Sequence, residues 1–489
     1  MNHLATTDNN LGKTLSDDLH CSDENAAEVY KDLSAIANIP LKELCRKNPS
    51  LIAFPQILGN EQDGIEELSI CELGGSVEMP EKAKLTTENL MGFIGYGNTQ
   101  LSIKSRFTKL EAEDCFLHYM LEKVGLVNLF DMPHTFTMDS CFDFLLYLFP
   151  MMLKKALAQG LFKTYQKFER NDANVKGVID VSRHIQKNIP FAGRVAYNTR
   201  ERTFDNSLTQ LIRHTIEFLK TKPNGKAVLT GNPETKSAVN EIMQATPSYS
   251  PFDRERIIAK NSKPLNHPYF TAYKPLQKLC LAILRHQKLS YKKNTKQIYG
   301  ILFDGAWLWE EYLATILKHE GFFHPKNKTG SGGIKMFEND FYEDSFDKNH
   351  RRIYPDFYRL ESNSDKGFIL DAKYKRLQNG VGREDLYQVV TYMHTMKIDR
   401  GGFIYPIFQS EADFSAKKMH KLAGYGGEIH IIGIKIPNIS EAADLNDLYS
   451  KFREQMENRE KEFVLEIQSY KSCPLQRTEQ PLLKPLVQF

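Results

Sequence analysis

The residues best equipped for chemistry lie between 353 and 375. Ile353-Tyr354-Pro355-Asp356-Phe357 is followed by the apolar run Gly367-Phe368-Ile369-Leu370-Asp371-Ala372-Lys373-Tyr374-Lys375. The stretches 353–360 and 367–375 read as strands, with 361–367 (ESNSDKG) as the turn between them. Side chains alternate along a strand, so Ile369, Asp371 and Lys373 share one face. That sets a carboxylate beside an ammonium among hydrophobic neighbours, and the returning hairpin can bring Asp356 close to Asp371. Two adjacent carboxylates repel and are costly to keep ionised without a counter-charge. A divalent hard cation relieves that cost, and Mg²⁺ prefers oxygen ligands. Such an ion can polarise a phosphoryl oxygen, while a lysine orients water and meets charge developing on phosphate. These are the parts needed to hydrolyse a phosphodiester. The pattern acid-x-Lys occurs twice: at Asp371-Ala372-Lys373, and at Glu234-Thr235-Lys236 in a polar stretch without an apolar strand around it. The competing reading is a surface hairpin carrying an i,i+2 charge pair.

Neighbouring elements fit a site. Read as a helix, Ile301–Leu317 carries Trp309, Tyr312, Leu313, Ile316 and Leu317 as one apolar stripe. At 100° per residue Glu310 falls on the edge of that stripe and Glu311 points away, which makes Glu310 the candidate third carboxylate. An ordinary flanking charge is the alternative. A second helix is expected over 383–396, with Asp385, Gln388 and Tyr392 on one face. Strands at 402–408 and 428–436 complete an α/β module with a mixed sheet. A charged amphipathic helix follows at roughly 444–468.

Segment 301–436 resembles the PD-(D/E)XK nuclease core, with a Q-x-x-x-Y helix like that of RecB-type nucleases. The combination LWEEY, YPDF, LDAKY and DLYQVVTY resembles, more closely, the McrC-type nuclease subunit of McrBC restriction systems, including LlaJI-like enzymes. GYGNTQLSIKSRF and TFDNSLTQLIRHTIEFL resemble that family's N-terminal and middle regions, so the likeness spans roughly 90–437. It implies a PD-(D/E)XK α/β core, a mixed sheet flanked by helices, preceded by a β-rich N-terminal domain and a helical middle region. It implies a Mg²⁺-dependent DNA endonuclease subunit of an antiviral restriction system. Asp356, Asp371 and Lys373 carry over as its catalytic residues, with Glu310 and Gln388 joining them. Asp356, Asp371 and Glu310 would be the metal ligands. The implied partners are double-stranded DNA and an McrB-like AAA+ GTPase hexamer, into whose ring the N-terminal β-rich domain inserts to stimulate GTP hydrolysis.

The rest of the chain sets the limits. At 489 residues it is long enough for several domains. Residues 1–80 carry 5 Lys/Arg against 14 Asp/Glu, net −9, so the remainder carries +12 of the total +3. Much of this lies in 253–297, where 11 basic residues face Asp253 and Glu255, with Tyr269, Phe270, Tyr273 and Tyr291 interleaved. That segment reads equally as a phosphate-backbone contact or a solvated connector. Seven scattered cysteines without a CxxC pair argue against a zinc site or disulfide framework and fit a reducing cytoplasm. No signal peptide or bilayer-length apolar run is read, so no membrane role is expected. No P-loop occurs: GNPETKS at 231–237 lacks the second glycine, and GSGGIK at 330–335 ends in the wrong residue. The expected division is an acidic extension at 1–80, a β-rich partner-binding region at 81–115 with a hairpin at Gly97-Asn98, and a mostly helical connector at 116–300. The nuclease domain follows at 301–437, then a C-terminal helix and tail at 438–489. Within the connector, 174–204 reads as strand and loop, Ser207–Leu219 as a helix, and 221–236 and 246–268 as loops.

Overall fold

The computed structural model describes residues 2–48, 51–55, 68–76, 78–109, 114–124, 138–222, 225–290, 298–325, 333–337, 352–360, 367–377, 380–408, 417–423, 426–439 and 445–470. The turn at 361–366, Tyr291 with the end of the basic segment, and the tail from 471 lie outside them. The chain divides into Met1–Gly305 and Ala306–Phe489.

The first unit contains, in chain order, β1 (Asn2–Thr7), α1 (Asp23–Ser34), β2 (Leu51–Phe54), β3 (Leu90–Tyr96), β4 (Thr99–Lys104), α2 (Met138–Leu157), β5 (Thr164–Asp172), β6 (Val178–Ile179), β7 (Val195–Thr203), α3 (Ser207–Lys220), α4 (Pro233–Ala245), α5 (Tyr273–Ser290) and β8 (Tyr299–Asp304). Its main sheet runs β1-β4-β3-β8-β2. β3 and β4 form the expected hairpin, turning at Gly97 (φ +59°) and Asn98. The described residues of the acidic stretch 1–80 are therefore no appendage. β1 pairs in parallel with β4, and β2 in parallel with β8. Leu4, Val29, Leu33 and Leu51 share one core with Ile94, Leu101 and Leu302. The net charge of −9 over 1–80 concealed this, although Leu51-Ile52-Ala53-Phe54, which forms β2, is an unbroken apolar run.

A second correction concerns Ile301–Leu317, read as one helix. The structure forms strand β8 through Asp304 and a helix from Gly305. A short unbroken apolar run such as Ile301-Leu302-Phe303 fits a buried strand as well as a helix, and periodicity does not separate them. β8 pairs antiparallel with β3, Phe303 stacks on Phe54 at 5.0 Å, and Gly305 N–H donates to Asn89 O at 2.8 Å.

In the middle region α3 forms as expected, capped by the Asn206–Thr209 box and burying Leu208, Leu211, Ile212, Ile216 and Leu219. The expected loops at 221–236 and 246–268 contain helices instead, at Gly225–Thr230 and Arg254–Lys260, and the first of them also holds the opening turn of the helix Pro233–Ala245. Asn232 caps α4 and Pro233 opens it, a start signal legible in the sequence. The connector also carries a small antiparallel sheet, β5-β7-β6. On or beside it Tyr165, Val178, Ile179, Val181, Ile189 and Phe191 are exposed. No helix among the described residues is long and apolar enough to cross a membrane.

The second unit holds α6 (Gly305–Leu317), β9 (Phe357–Arg359), β10 (Phe368–Ala372), α7 (Arg383–Met396), β11 (Arg400–Phe408), β12 (Lys417–Lys421), β13 (Glu428–Ile436) and α8 (Leu445–Ser469). Its sheet is mixed, in the order β9-β10-β11-β13-β12, with β10, β11 and β13 mutually parallel. The apolar face of α7 (Val389, Tyr392, Met393) packs with Ile369 and Phe403 in one core.

Candidate active site

The site forms where β10 ends. β9 and β10 pair antiparallel with Phe357 opposite Leu370 and Tyr358 opposite Ile369, a register that sets Asp356 across from Asp371. Ala372 N–H donates to Asp356 Oδ2 at 2.8 Å, fixing that carboxylate against the strand. The expected strand over 353–360 is interrupted at 354–356, so Asp356 sits on the bend before β9. Pro355 suits that bend, since it lacks an N–H to offer a ladder. Every residue of β10 is buried, which excludes the surface-hairpin reading. The strand lies between β9 and β11, and both its faces are covered.

Asp371 is 2% exposed. Burial, and then the charge of Asp356, push its carboxyl well above the usual carboxylate range; Lys373 works in the opposite direction. Lys373 Nζ lies 2.6 Å from Asp371 Oδ2 and 3.2 Å from Asp385 Oδ1. Burial acts to lower the lysine's pKa, but Asp371, Asp356 and Asp385 together hold it raised. Lys373 N–H is tied to Ile404 O at 2.8 Å, which anchors the residue just past β10 to β11.

Glu310 is placed on α6 next to Trp309, whose indole Nε1 donates to the same Ile404 carbonyl at 3.5 Å. Glu310 and Glu311 are both half-buried. The apolar surface of α6 is wider than one stripe, because Trp307 and Leu308 are also buried. Among the described residues no group of three His, Cys, Asp or Glu side chains stands at metal-holding spacing. Gln388 is exposed and donates to the Oη of buried Tyr392 at 2.6 Å. Burial pushes the Tyr392 hydroxyl up to about 12, with Asp356 and Asp371 adding to the rise, so this pair lies within reach of the carboxylates' field.

Two contacts escaped the sequence. Asp385 binds Lys375 as well as Lys373. The lysine at 375, two positions beyond Lys373 on the same run, was its only trace. His324 Nδ1 lies 2.7 Å from the Asp356 carbonyl oxygen and its ring stacks on Phe357 at 4.7 Å. An oxygen acceptor requires Nδ1 to carry the hydrogen. A lone histidine in a loop offered no pattern to find.

The pair Asp356 and Asp371 fits a divalent cation: the donors are hard oxygens, and each carboxylate raises the cost of ionising the other. The arrangement holds two acids and one ammonium at the carboxyl ends of parallel strands, where open α/β sheets place their sites.

The family model described as McrBC 5-methylcytosine restriction system component matches residues 85–406, a span that includes all five candidate residues. Two solved assemblies are similar. One is a half-complex from the tetradecameric assembly of Thermococcus gammatolerans McrB AAA+ hexamers with bound McrC, at 14% identity, 93% of this chain, 99% of that chain and a TM-score of 0.46. The other is the Thermococcus gammatolerans McrBC complex, at 15% identity, 65% of this chain, 87% of that chain and a TM-score of 0.32. No curated protein matches. With the family model covering more than half of its length, the chain belongs to the McrBC 5-methylcytosine restriction system component family.

Proposed function

We propose that the chain is the DNA-cutting subunit of a GTP-dependent restriction system, a PD-(D/E)XK endonuclease that hydrolyses phosphodiesters with Mg²⁺. The observation that carries this is the register that sets Asp356 across from Asp371, with Lys373 ion-paired to the buried acid at 2.6 Å. Asp356 and Asp371 would hold the ion, which would supply Lewis-acid charge against a phosphoryl oxygen. Ala372 N–H keeps Asp356 aimed at the site. The ammonium of Lys373 orients the attacking water and meets charge developing on the phosphate. β10, buried on both faces, excludes bulk water from beneath these groups and strengthens their electrostatics.

The partner in this reading is an McrB-like AAA+ GTPase hexamer, in keeping with the family and with the absence of a P-loop from this sequence. The element offered to it is the β5-β7-β6 sheet with its exposed apolar residues. The strands of the β3-β4 hairpin lie inside a sheet and expose only their turn.

The test is plasmid cleavage with Mg²⁺ and the complete system. Asp356→Ala, Asp371→Ala and Lys373→Ala should each lower the rate by about a hundredfold or more, with association to the GTPase unchanged. Wild-type cutting by Asp371→Ala would sink the nuclease assignment. A wild-type chain that binds the motor and DNA but never cuts would make it an adaptor.

A further inference from the structure

Among the described residues Lys373 makes close ion pairs with two acids, Asp371 and Asp385, and the nuclease reading uses only the first. Asp371 Oδ2 lies 2.6 Å from its Nζ, and Asp385 Oδ1 lies 3.2 Å from it. The second oxygen of Asp385 is bound to Lys375. Asp385 is itself held. It sits in the first turn of α7, where the helix end favours an ionised acid. Gly382, the N-cap, leaves room for it: a Cβ there would stand 3.2 Å from Asp385 Oδ2. The side chains of Lys373 and Asp385 are 18% and 17% exposed, so water screens this pair little.

The chemistry needs this second acceptor. A lysine ammonium is a point charge on a flexible four-carbon stem, and one ion pair leaves it free to pivot. If Asp371 is engaged with a metal ion, its charge is shared and its grip on Nζ weakens. Asp385 stands apart from that demand and keeps its hold. Lys375, 43% exposed, offsets the charge of Asp385, so the acid can face Lys373 without adding a net negative charge to the site.

We propose that Asp385 is a positioning residue, fixing the Lys373 ammonium over the reacting phosphate through a Lys375–Asp385–Lys373 ion-pair chain. This rests on the nuclease reading for its consequence in catalysis, and on the geometry alone for the contact.

The full-length chain is compared with Asp385→Asn, Asp385→Glu and Lys373→Ala in two measurements. The first is DNA cleavage with the complete system and Mg²⁺, resolved into kcat and KM. Asp385→Asn should lower kcat by about tenfold to a hundredfold, as expected for a misplaced catalytic group, with KM for DNA within about twofold. Asp385→Glu, which keeps the charge, should recover most of the loss. The second uses metal-free protein: acylation of Lys373 by acetic anhydride, read by mass spectrometry against the exposed Lys451. Modification of Lys373 should rise several-fold in Asp385→Asn and stay near wild type in Asp385→Glu. Unchanged acylation and unchanged kcat in Asp385→Asn, while Lys373→Ala abolishes cutting, would overturn the positioning role and leave the nuclease reading intact. Absence of cutting by the wild-type chain would overturn the nuclease reading, and the acylation result would still decide whether Asp385 holds Lys373.

Discussion

Lys373 is paired with a buried acid and a half-buried one, whereas His214 is a buried polar side chain without a hydrogen-bond partner among the described residues. It lies on α3, fully buried, with its ring 4.8 Å from that of Tyr249. Neither ring nitrogen has a hydrogen-bond partner among the described residues. Burial first, then the charge of Arg254, lowers its pKa to about 4, with Arg213 acting the same way and Asp253 and Glu217 opposing. In the unfolded chain the imidazole takes a proton near 6.5. Between these values the unfolded state binds more protons, so stability falls as pH drops from 6.5 toward 4. The loss approaches about 3 kcal/mol at the lower end. His214→Leu should remove that slope, and at pH 7 should be neutral or stabilising by about 1 kcal/mol, because an unpaired polar group leaves the core. Urea midpoints of both proteins at pH 7 and pH 4.5 check it. A pH dependence that is the same in both would refute it. Residues of this kind are invisible in the sequence, since burial is a property of the fold. Asp356, Asp371 and Lys373 were legible because strand alternation and a short turn dictate which side chains meet. Asp385 was legible as a face of α7, but its bond to Lys375 was not, because 375 lies beyond the end of the strand.

At the scale of elements, strands and helices with strong periodicity emerge where expected: α7 over Arg383–Met396, β13 over Glu428–Ile436 and α8 over Leu445–Ser469. What misled were short apolar runs and polar helices. β8 was taken into the following helix, and the first turn of α4 was read as the end of a polar loop. The third parallel strand's neighbour, β12, carries the polar run KKMHK and gave no strand signal at all. The β3-β4 hairpin was clear from Gly97-Asn98, a pair that accepts the positive φ of a tight turn. Its surroundings add a constraint. Asp32 of α1 accepts from Asn98 N–H and from Thr99 Oγ1, each at 3.0 Å. A Cβ at Gly97 would stand 2.5 Å from Asp32 Oδ1. Gly97→Ala should therefore destabilise the first unit by about 1–2 kcal/mol, from the left-handed backbone alone, and by more if Asp32 is displaced. Chemical denaturation measures it. Asp32→Ala should lower stability too, since two donors at the turn lose their acceptor; a Gly97→Ala variant as stable as wild type would show that Asp32 does not clamp the turn.

For the whole molecule the consequence is where to cut it. A boundary at 300 suits a chain whose second domain begins with a helix at 301. The structure argues against it, because β8 lies between β3 and β2 and runs to Asp304. A fragment ending at 300 strips most of that strand and unpairs β2 from its neighbour. A fragment of 1–305 keeps the compact first unit whole. If the first unit engages the motor and the second cuts, fragment 1–305 should raise the partner's GTP turnover and cleave nothing. The intact chain without partner should cut little, because a free nuclease would endanger the host genome. The contact surface is tested in the intact chain by Ile189→Ser with Phe191→Ser. Both side chains are exposed, so folding should be unaffected. Burial of two such side chains in an interface is worth about 3 kcal/mol, so GTPase stimulation should require a roughly hundredfold higher concentration. Stimulation unchanged in this variant, but lost on substituting Asn98 at the hairpin turn, would return the contact to β3-β4. Vigorous cutting by the lone chain, with no stimulation by a folded 1–305 fragment, would make it a self-sufficient nuclease.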